Sequence, residues 1–226
     1  MDGELIPLVA ACAAFVGTHF LLSNPLRKPM VRGLGERGFL LVYSLIAFAA
    51  LTWIALAFHR ASPAPALWDG TAAVPWIAAS ILTIAAMALL LAALNRNPAL
   101  PMAQLAGLSA RKPWGVFKVT RHPMMMAFAL WSVSHILVAP TARTIVLALA
   151  ILLLALVGAK LQDARKLAQN GREWGVWMQR TSFWPDLRKL GDIGTMWIVA
   201  LLVWLGVTAL HVWLTGVPAG IWRWVG

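Results

Sequence analysis

One stretch decides how this chain is organised: KVTRHPMMMAFALWSVSHILVAP, from Lys118 to Pro140. A basic edge leads into His122-Pro123, and an apolar run long enough to cross most of a bilayer follows. Pro123 fits the first turn of a helix, where its missing N–H is not needed. His135 lies inside the apolar run, and an ionisable ring in lipid costs free energy unless it faces a partner. The stretch therefore predicts a membrane helix that carries a functional histidine.

The composition excludes an ordinary soluble domain. The 226 residues are 61% hydrophobic and only 12% charged. The apolar residues come in blocks of about 20, the length that spans about 30 Å of hydrocarbon as a helix. We therefore predict an all-α, polytopic integral membrane protein, with residues 1–226 forming a single transmembrane domain in contact with membrane lipids.

Six apolar blocks predict six transmembrane helices. The predicted spans are Leu5–Leu22, Phe39–Phe58, Ala72–Leu94, Arg121–Ala139, Thr144–Leu161 and Ile193–Leu214. Nearly all of the 19 Lys and Arg residues fall in the first, third and fifth connections, the exceptions being Arg60, Arg143 and Arg223. Because short basic loops stay in the cytoplasm, these three connections are predicted to be cytoplasmic and both termini to lie outside.

The fifth connection is long and aromatic. It carries Trp174, Trp177 and Trp184 among basic residues. Such side chains prefer the membrane interface, so we expect a cytoplasmic interfacial helix between spans five and six. The net charge of +11 does not predict nucleic-acid binding, because the basic residues are confined to loops.

Five histidines are the candidate functional residues: His19, His59, His122, His135 and His211. Two neutral imidazoles from different membrane helices can bind a haem iron from both faces. The predicted spans put His19 and His122 towards the cytoplasm and the other three towards the outside. Depth alone therefore pairs His19 with His122, and His135 with His59 or His211. Each of these residues also has a structural interpretation, as an interfacial side chain, a helix cap or a hydrogen-bonded ring.

Two aromatic residues add to this pattern. Phe15 lies four residues before His19, and Trp131 lies four residues before His135. Residues four apart on a helix are neighbours, so each pair is expected to share a helix face. The combination predicts a slot lined by aromatic side chains around a ligating ring.

Several short motifs are distributed along the whole chain. They include Gly17-Thr18-His19-Phe20, Gly35-Glu36-Arg37-Gly38, Thr120-Arg121-His122-Pro123-Met124, Ser134-His135 and Gly216-Val217-Pro218. Together they resemble the NnrU family. These are polytopic membrane proteins found with nitrite and nitric oxide reduction in bacteria, and they are related to plant 15-cis-ζ-carotene isomerase.

The isomerase branch of that family binds haem b through histidines of two helices. The resemblance implies His19 as one axial ligand and His135 as the other, with His59 and His122 as further metal-ligand candidates. Phe15, Trp131 and Arg121 complete the expected cofactor-binding set.

The resemblance further implies a multi-pass protein of the bacterial inner membrane, linked to denitrification. A nitrogen-oxide reductase or another redox partner is the expected protein partner. Because the chain looks bacterial, the resemblance does not imply carotene isomerase activity, and the catalytic residues stay unknown.

Two alternatives belong to other classes. Arg121-His122-Pro123, followed by a charged segment ending in Phe183-Trp184-Pro185, resembles integral membrane methyltransferases of the isoprenylcysteine type. There the two regions enclose S-adenosylmethionine. The other alternative is a non-enzymatic assembly factor for a membrane oxidoreductase, since no nucleophile–base pair lies in a span.

Overall fold

The computed structural model describes residues 5–62 and 64–225. The described chain is helical and contains no strand, which confirms the all-α prediction. Three 3₁₀ turns lie at Leu108–Ala110, Leu187–Ile193 and Gly220–Trp224. The α-helices are α1 Leu5–Ser23, α2 Arg27–Arg60, α3 Ala73–Ala92, α4 Val116–Val119, α5 Pro123–Val138, α6 Ala142–Arg180 and α7 Met196–Thr215.

Each predicted span coincides with one of these helices. Among the described residues, α1, α2, α3, α6 and α7 are long and apolar enough to cross a membrane. Helix α5 begins at Pro123 as predicted, but its 16 residues extend only about 24 Å. That is less than the roughly 30 Å of a hydrocarbon core. The structure is therefore that of a multi-pass membrane protein with five candidate spanning helices among the described residues, and the count of six and the orientation stay predictions.

The helices pack in the order α2, α1, α6, α5, α3, α7, each against the next. Helix α5 thus lies in the middle of the bundle, and its small residues Ala127, Ser132 and Ser134 are buried against its neighbours. A central position shields a short helix from lipid on both sides. This packing explains how a helix shorter than the bilayer is accommodated.

The three basic connections meet at one end of the bundle, which we call the basic end. Arg165 of α6 donates a hydrogen bond to the carbonyl oxygen of Ser23 at 3.0 Å. Gln162 donates to the carbonyl oxygen of Ala99, also at 3.0 Å. At the opposite end, Trp68 donates through Nε1 to the carbonyl oxygen of Leu137 at 3.0 Å. The first, third and fifth connections thus lie at one end of the bundle and the second and fourth at the other, as the charge pattern predicts.

The segment after span five is helical, and its orientation along the membrane surface stays a prediction. Helix α6 runs to Arg180, and a kink with non-helical backbone at Asn170 and Gly171 separates its last part from the apolar part. Trp174 and Trp177 are 0% exposed, so they belong to the core and not to an interface. The indole of Trp177 packs against Trp114 with ring centroids 5.3 Å apart. The third connection folds over α6 and covers these rings. The sequence of the fifth connection alone does not show this contact, because Trp114 lies far away along the chain.

Candidate functional site

Two mostly apolar cavities flank α5. One, the α3–α5–α7 cavity, has a volume of about 310 Å³. The other, the α1–α2–α6 cavity, has a volume of about 530 Å³. Phe128 of α5 lines both, so its ring lies between them.

The α3–α5–α7 cavity contains two histidines from different helices, His135 of α5 and His211 of α7. Both lie near the end of the bundle opposite the basic end. The wall is rich in indole rings, contributed by Trp76, Trp131 and Trp204. Aromatic side chains thus surround His135, but no residue of α1 lines this cavity, so it is not a slot shared with His19.

Both rings are held by backbone carbonyl groups. Nδ1 of His135 lies 2.9 Å from the carbonyl oxygen of Trp131, and Nδ1 of His211 lies 3.2 Å from that of Val217. A carbonyl oxygen only accepts, so in each neutral ring Nδ1 carries the proton and Nε2 carries the lone pair. Metal-ligating histidines are typically oriented in this way. The site therefore offers two Nε2 lone pairs from two helices.

Two tryptophans of this cavity have their N–H groups satisfied within the protein. Trp76 donates to the carbonyl oxygen of Gly220 at 2.8 Å, and Trp204 donates to Oγ1 of Thr83 at 2.9 Å. The ring of Trp131 packs on His135 with centroids 4.0 Å apart. The wall is thus mostly apolar and aromatic, and its two imidazoles are the side chains suited to binding a metal.

A cation lies beside this cavity. The guanidinium of Arg223 packs over the ring of Trp76, 4.8 Å from its centroid. One of its nitrogens, Nη1, is buried and has no hydrogen-bond partner within residues 5–62 and 64–225. The pKa of Asp69 is lowered by hydrogen bonds from Thr71 and, to a smaller degree, by the charge of Arg223. Arg223 therefore interacts electrostatically with Asp69, and its buried Nη1 can still donate a hydrogen bond.

His19 lines the α1–α2–α6 cavity. Its Nδ1 donates to the carbonyl oxygen of Phe15 at 2.7 Å, since a carbonyl only accepts. The ring packs against Phe15 and against the edge of Tyr43, with centroids 4.2 Å and 5.3 Å away. The prediction that Phe15 and His19 share a helix face is confirmed, as it is for Trp131 and His135.

The structure does not bring His19 and His135 together. His19 lines the cavity on one side of α5 and His135 lines the cavity on the other, while His211 shares the cavity of His135. His59 lies near the end of α2 and is exposed. His122 lines neither apolar cavity. Of the pairs that depth left open, His135 with His211 is the one that the fold assembles.

Arg121 and His122 belong to a buried ion cluster at the basic end. Its centre is Asp163 of α6, whose carboxylate accepts from Nε of Arg121 at 2.9 Å. The second carboxylate oxygen lies 2.9 Å from Nε2 of His122 and 3.1 Å from Nε1 of Trp174. The side chains of Arg121, His122 and Asp163 are 10%, 0% and 8% exposed. The cluster joins the start of α5 to α6, which is a structural role.

The two segments of the methyltransferase-like pattern do meet. The N–H of Arg121 donates to the carbonyl oxygen of Ser182 at 2.9 Å, and Oγ1 of Thr120 donates to that of Phe183 at 2.7 Å. The polar ends of Arg121 and His122 are nevertheless bonded to Asp163, and neither residue lines an apolar cavity. The contact between the segments thus consists of hydrogen bonds to backbone carbonyl groups, and Nδ1 of His122 is buried without a partner among the described residues.

Sequence reasoning did not assign His211 to the site or Asp163 to the cluster. Their partners lie 76 and about 41 residues away along the chain, so no local spacing shows the pairing. Two features of the sequence could have pointed to these residues. His211 has the same predicted depth as His135, and Asp163 is an isolated acid just after an apolar span. Among the described residues, no group of three or more His, Cys, Asp or Glu could hold a metal ion. A haem iron needs only two protein ligands, so that finding does not concern it.

The fold and its cavities define a class: a multi-pass helical membrane protein in which histidines of two helices, His135 and His211, line one mostly apolar cavity. A family model described as NnrU protein matches residues 7–219. The chain therefore belongs to the NnrU family. No curated protein and no solved structure matches it.

Proposed function

We propose that this NnrU-family protein is a haem b protein of the bacterial inner membrane that acts in nitrogen-oxide metabolism. The single observation that carries the haem proposal is the shared cavity of His135 and His211. In that cavity each Nδ1 is occupied by a carbonyl oxygen, which leaves two Nε2 lone pairs for one iron.

The residues around the pair fit such a group. An apolar macrocycle is accommodated by apolar and indole surface, which Trp76, Trp131 and Trp204 supply. Haem also carries carboxylates, and a buried guanidinium nitrogen without a partner in the described chain is a suitable donor to one of them. Nη1 of Arg223 has that property.

In this proposal the protein orients and isolates the cofactor. The carbonyl oxygens of Trp131 and Val217 fix the tautomer and the rotation of the two imidazoles. The apolar wall excludes water and lowers the local dielectric, which tunes the potential of a bound haem. Haem supplies one-electron transfer when it is bound, and the helices supply its ligands and surroundings.

Absorption spectroscopy of the detergent-purified full chain tests the proposal. After expression with added haem, a Soret band and a sharp α band on reduction are expected. His135→Ala and His211→Ala should each remove or shift these bands, and His59→Ala, at an exposed histidine near the end of α2, is the matched control. Absence of any haem band in the unaltered protein refutes the proposal.

The same variants test the ligand pair implied by the family resemblance. His19→Ala should leave the bands unchanged if His135 and His211 hold the iron. If His19→Ala and His135→Ala abolish the bands while His211→Ala does not, the pair is His19 with His135. That result would require the two cavities to merge around Phe128 when haem binds.

Family membership supports the link to nitrogen oxides. A strain that lacks the protein should consume nitrite or nitric oxide more slowly under oxygen limitation, and His135→Ala should fail to restore the rate. Unchanged consumption in the deletion strain contradicts the link. Stoichiometric co-purification with a nitrogen-oxide reductase, without a chromophore, favours an assembly factor instead.

A further inference from the structure

A polar space at the basic end adjoins the α1–α2–α6 cavity. This space of about 240 Å³, which we call the basic vestibule, is lined by Arg27, Glu36, Arg165 and Lys166 among others. Arg27 and Arg165 line both the vestibule and the larger apolar cavity, so these two side chains lie where the two spaces adjoin. A charged space at the ends of the helices is thus next to an apolar space among them.

The vestibule has a surplus of positive charge. Three cations line it, and Glu36 is the carboxylate that lines it with them. Glu36 forms an ion pair with Arg27. The remaining two cations bond to neutral groups: Arg165 donates to the carbonyl oxygen of Ser23 at 3.0 Å, and Lys166 donates to the carbonyl oxygens of Pro98 and Leu100.

The burial of Lys166 makes this surplus costly. Lys166 is only 7% exposed, and the charges that act on it are two cations, Arg165 and Arg27, and one carboxylate, Glu36. Its ammonium also lies 5.8 Å from the ring centroid of Trp174. Buried positive charge in excess of negative charge is unfavourable, and a bound anion would compensate for it.

We propose that the cavity and the vestibule together hold one anionic phospholipid, with an acyl chain in the cavity and the phosphate in the vestibule. The chain lies along the apolar wall of α1, α2 and α6, past Phe20 and Ile151. The phosphate accepts hydrogen bonds from Arg165 and Lys166, and its single negative charge offsets one of their two positive charges. Basic pockets between membrane helices commonly bind lipid headgroups in this way. This site is separate from the one that holds the haem in the proposed function.

Lipid retention by the purified full chain tests the headgroup part. Protein reconstituted with phosphatidylglycerol and then stripped with mild detergent should retain about one lipid by native mass spectrometry, and should retain phosphatidylcholine much less. Arg165→Gln should reduce retention by about fivefold, the effect of one basic residue on an anionic lipid. Arg188→Gln is the matched control, because the side chain of Arg188 is 95% exposed.

A second variant tests the apolar part independently of any charge. A Cβ at Gly158 would meet only the ring of Phe20, at 4.0 Å, so the remaining carbons of Gly158→Leu would extend into the cavity. This variant should lose the lipid while folding normally. Gly206→Leu on α7 is the control, since a Cβ there meets nothing within 4 Å and Gly206 does not line the cavity.

Three results would overturn the proposal. The first is equal retention of the two lipids, and the second is stabilisation by inorganic phosphate alone with no lipid retained. The third is loss of the haem bands in Arg165→Gln, which would assign the vestibule to haem carboxylates. Loss of haem bands in His135→Ala and His211→Ala only, together with lipid loss in Gly158→Leu only, supports both sites separately.

Discussion

Replacing Asp163 by Asn tests the role of the buried ion cluster at the basic end. The carboxylate accepts from Arg121, His122 and Trp174, at distances from 2.8 to 3.1 Å. Asn has nearly the same shape but no charge. The variant therefore leaves the guanidinium of Arg121, 10% exposed, without an opposite charge in a buried place.

The size of the effect follows from that burial. Removing one partner of a buried ion pair costs about 3–5 kcal/mol, because the other charge stays buried. At about 2–4 °C per kcal/mol for a chain of this size, the unfolding midpoint should fall by about 6–20 °C. An exposed pair is worth about 0–1 kcal/mol, so the matched variant should shift the midpoint by no more than about 4 °C.

Thermal unfolding in detergent, followed by tryptophan fluorescence, measures both variants. Asp192→Asn is the matched control, because Asp192 pairs with Lys118 at 2.7 Å while both side chains are more than one-third exposed. Arg121→Gln should destabilise about as much as Asp163→Asn, and the double variant should lose less than the sum. Equal midpoints for Asp163→Asn and Asp192→Asn would show that the buried cluster is not what fixes α5 to α6.

Three further outcomes are expected. Gly70→Ala should lower the unfolding midpoint, because a Cβ there overlaps the carbonyl oxygen of Val138. Gly206→Ala should not lower it, because a Cβ there meets nothing within 4 Å. Equal midpoints for the two variants would contradict the packing of Gly70 against Val138. Gly220→Ala should perturb the haem bands, because Gly220 has φ +55° and its added Cβ would lie 2.6 Å from the ring of Trp204. Unchanged bands would show that the segment around Gly220 does not contribute to the haem site. Tags at the N- and C-termini should both be accessible from outside the cytoplasm of intact cells, and a cytoplasmic C-terminal tag refutes the six-span topology.

The membrane helices were predictable because their signal is local. Blocks of apolar residues give the helices directly, and Pro123 marks the start of α5 because proline suits a first turn. The helix after the apolar part of α6 was predicted, but the burial of Trp174 and Trp177 was missed, since both look interfacial when read alone. Their burial depends on the third connection, which folds over α6 and supplies Trp114 as a neighbour.

The candidate site was predictable only in part for the same reason. The depth of each span restricts which histidines can meet, and it allowed His135 to pair with His211. The depth of a histidine does not say which helices are adjacent. His211, and not His59, shares a cavity with His135 because α3 packs against both α5 and α7. The cluster around Asp163 likewise depends on where α6 passes the start of α5.

The central claim is that His135 and His211 would both ligate one haem iron. Electron paramagnetic resonance of the oxidised, purified full chain tests it most directly. The account predicts a six-coordinate low-spin ferric signal that becomes high-spin in His135→Ala and in His211→Ala, and that is retained in His19→Ala. A low-spin signal that persists in His211→Ala, or the absence of any ferric haem signal in the unaltered protein, would contradict it.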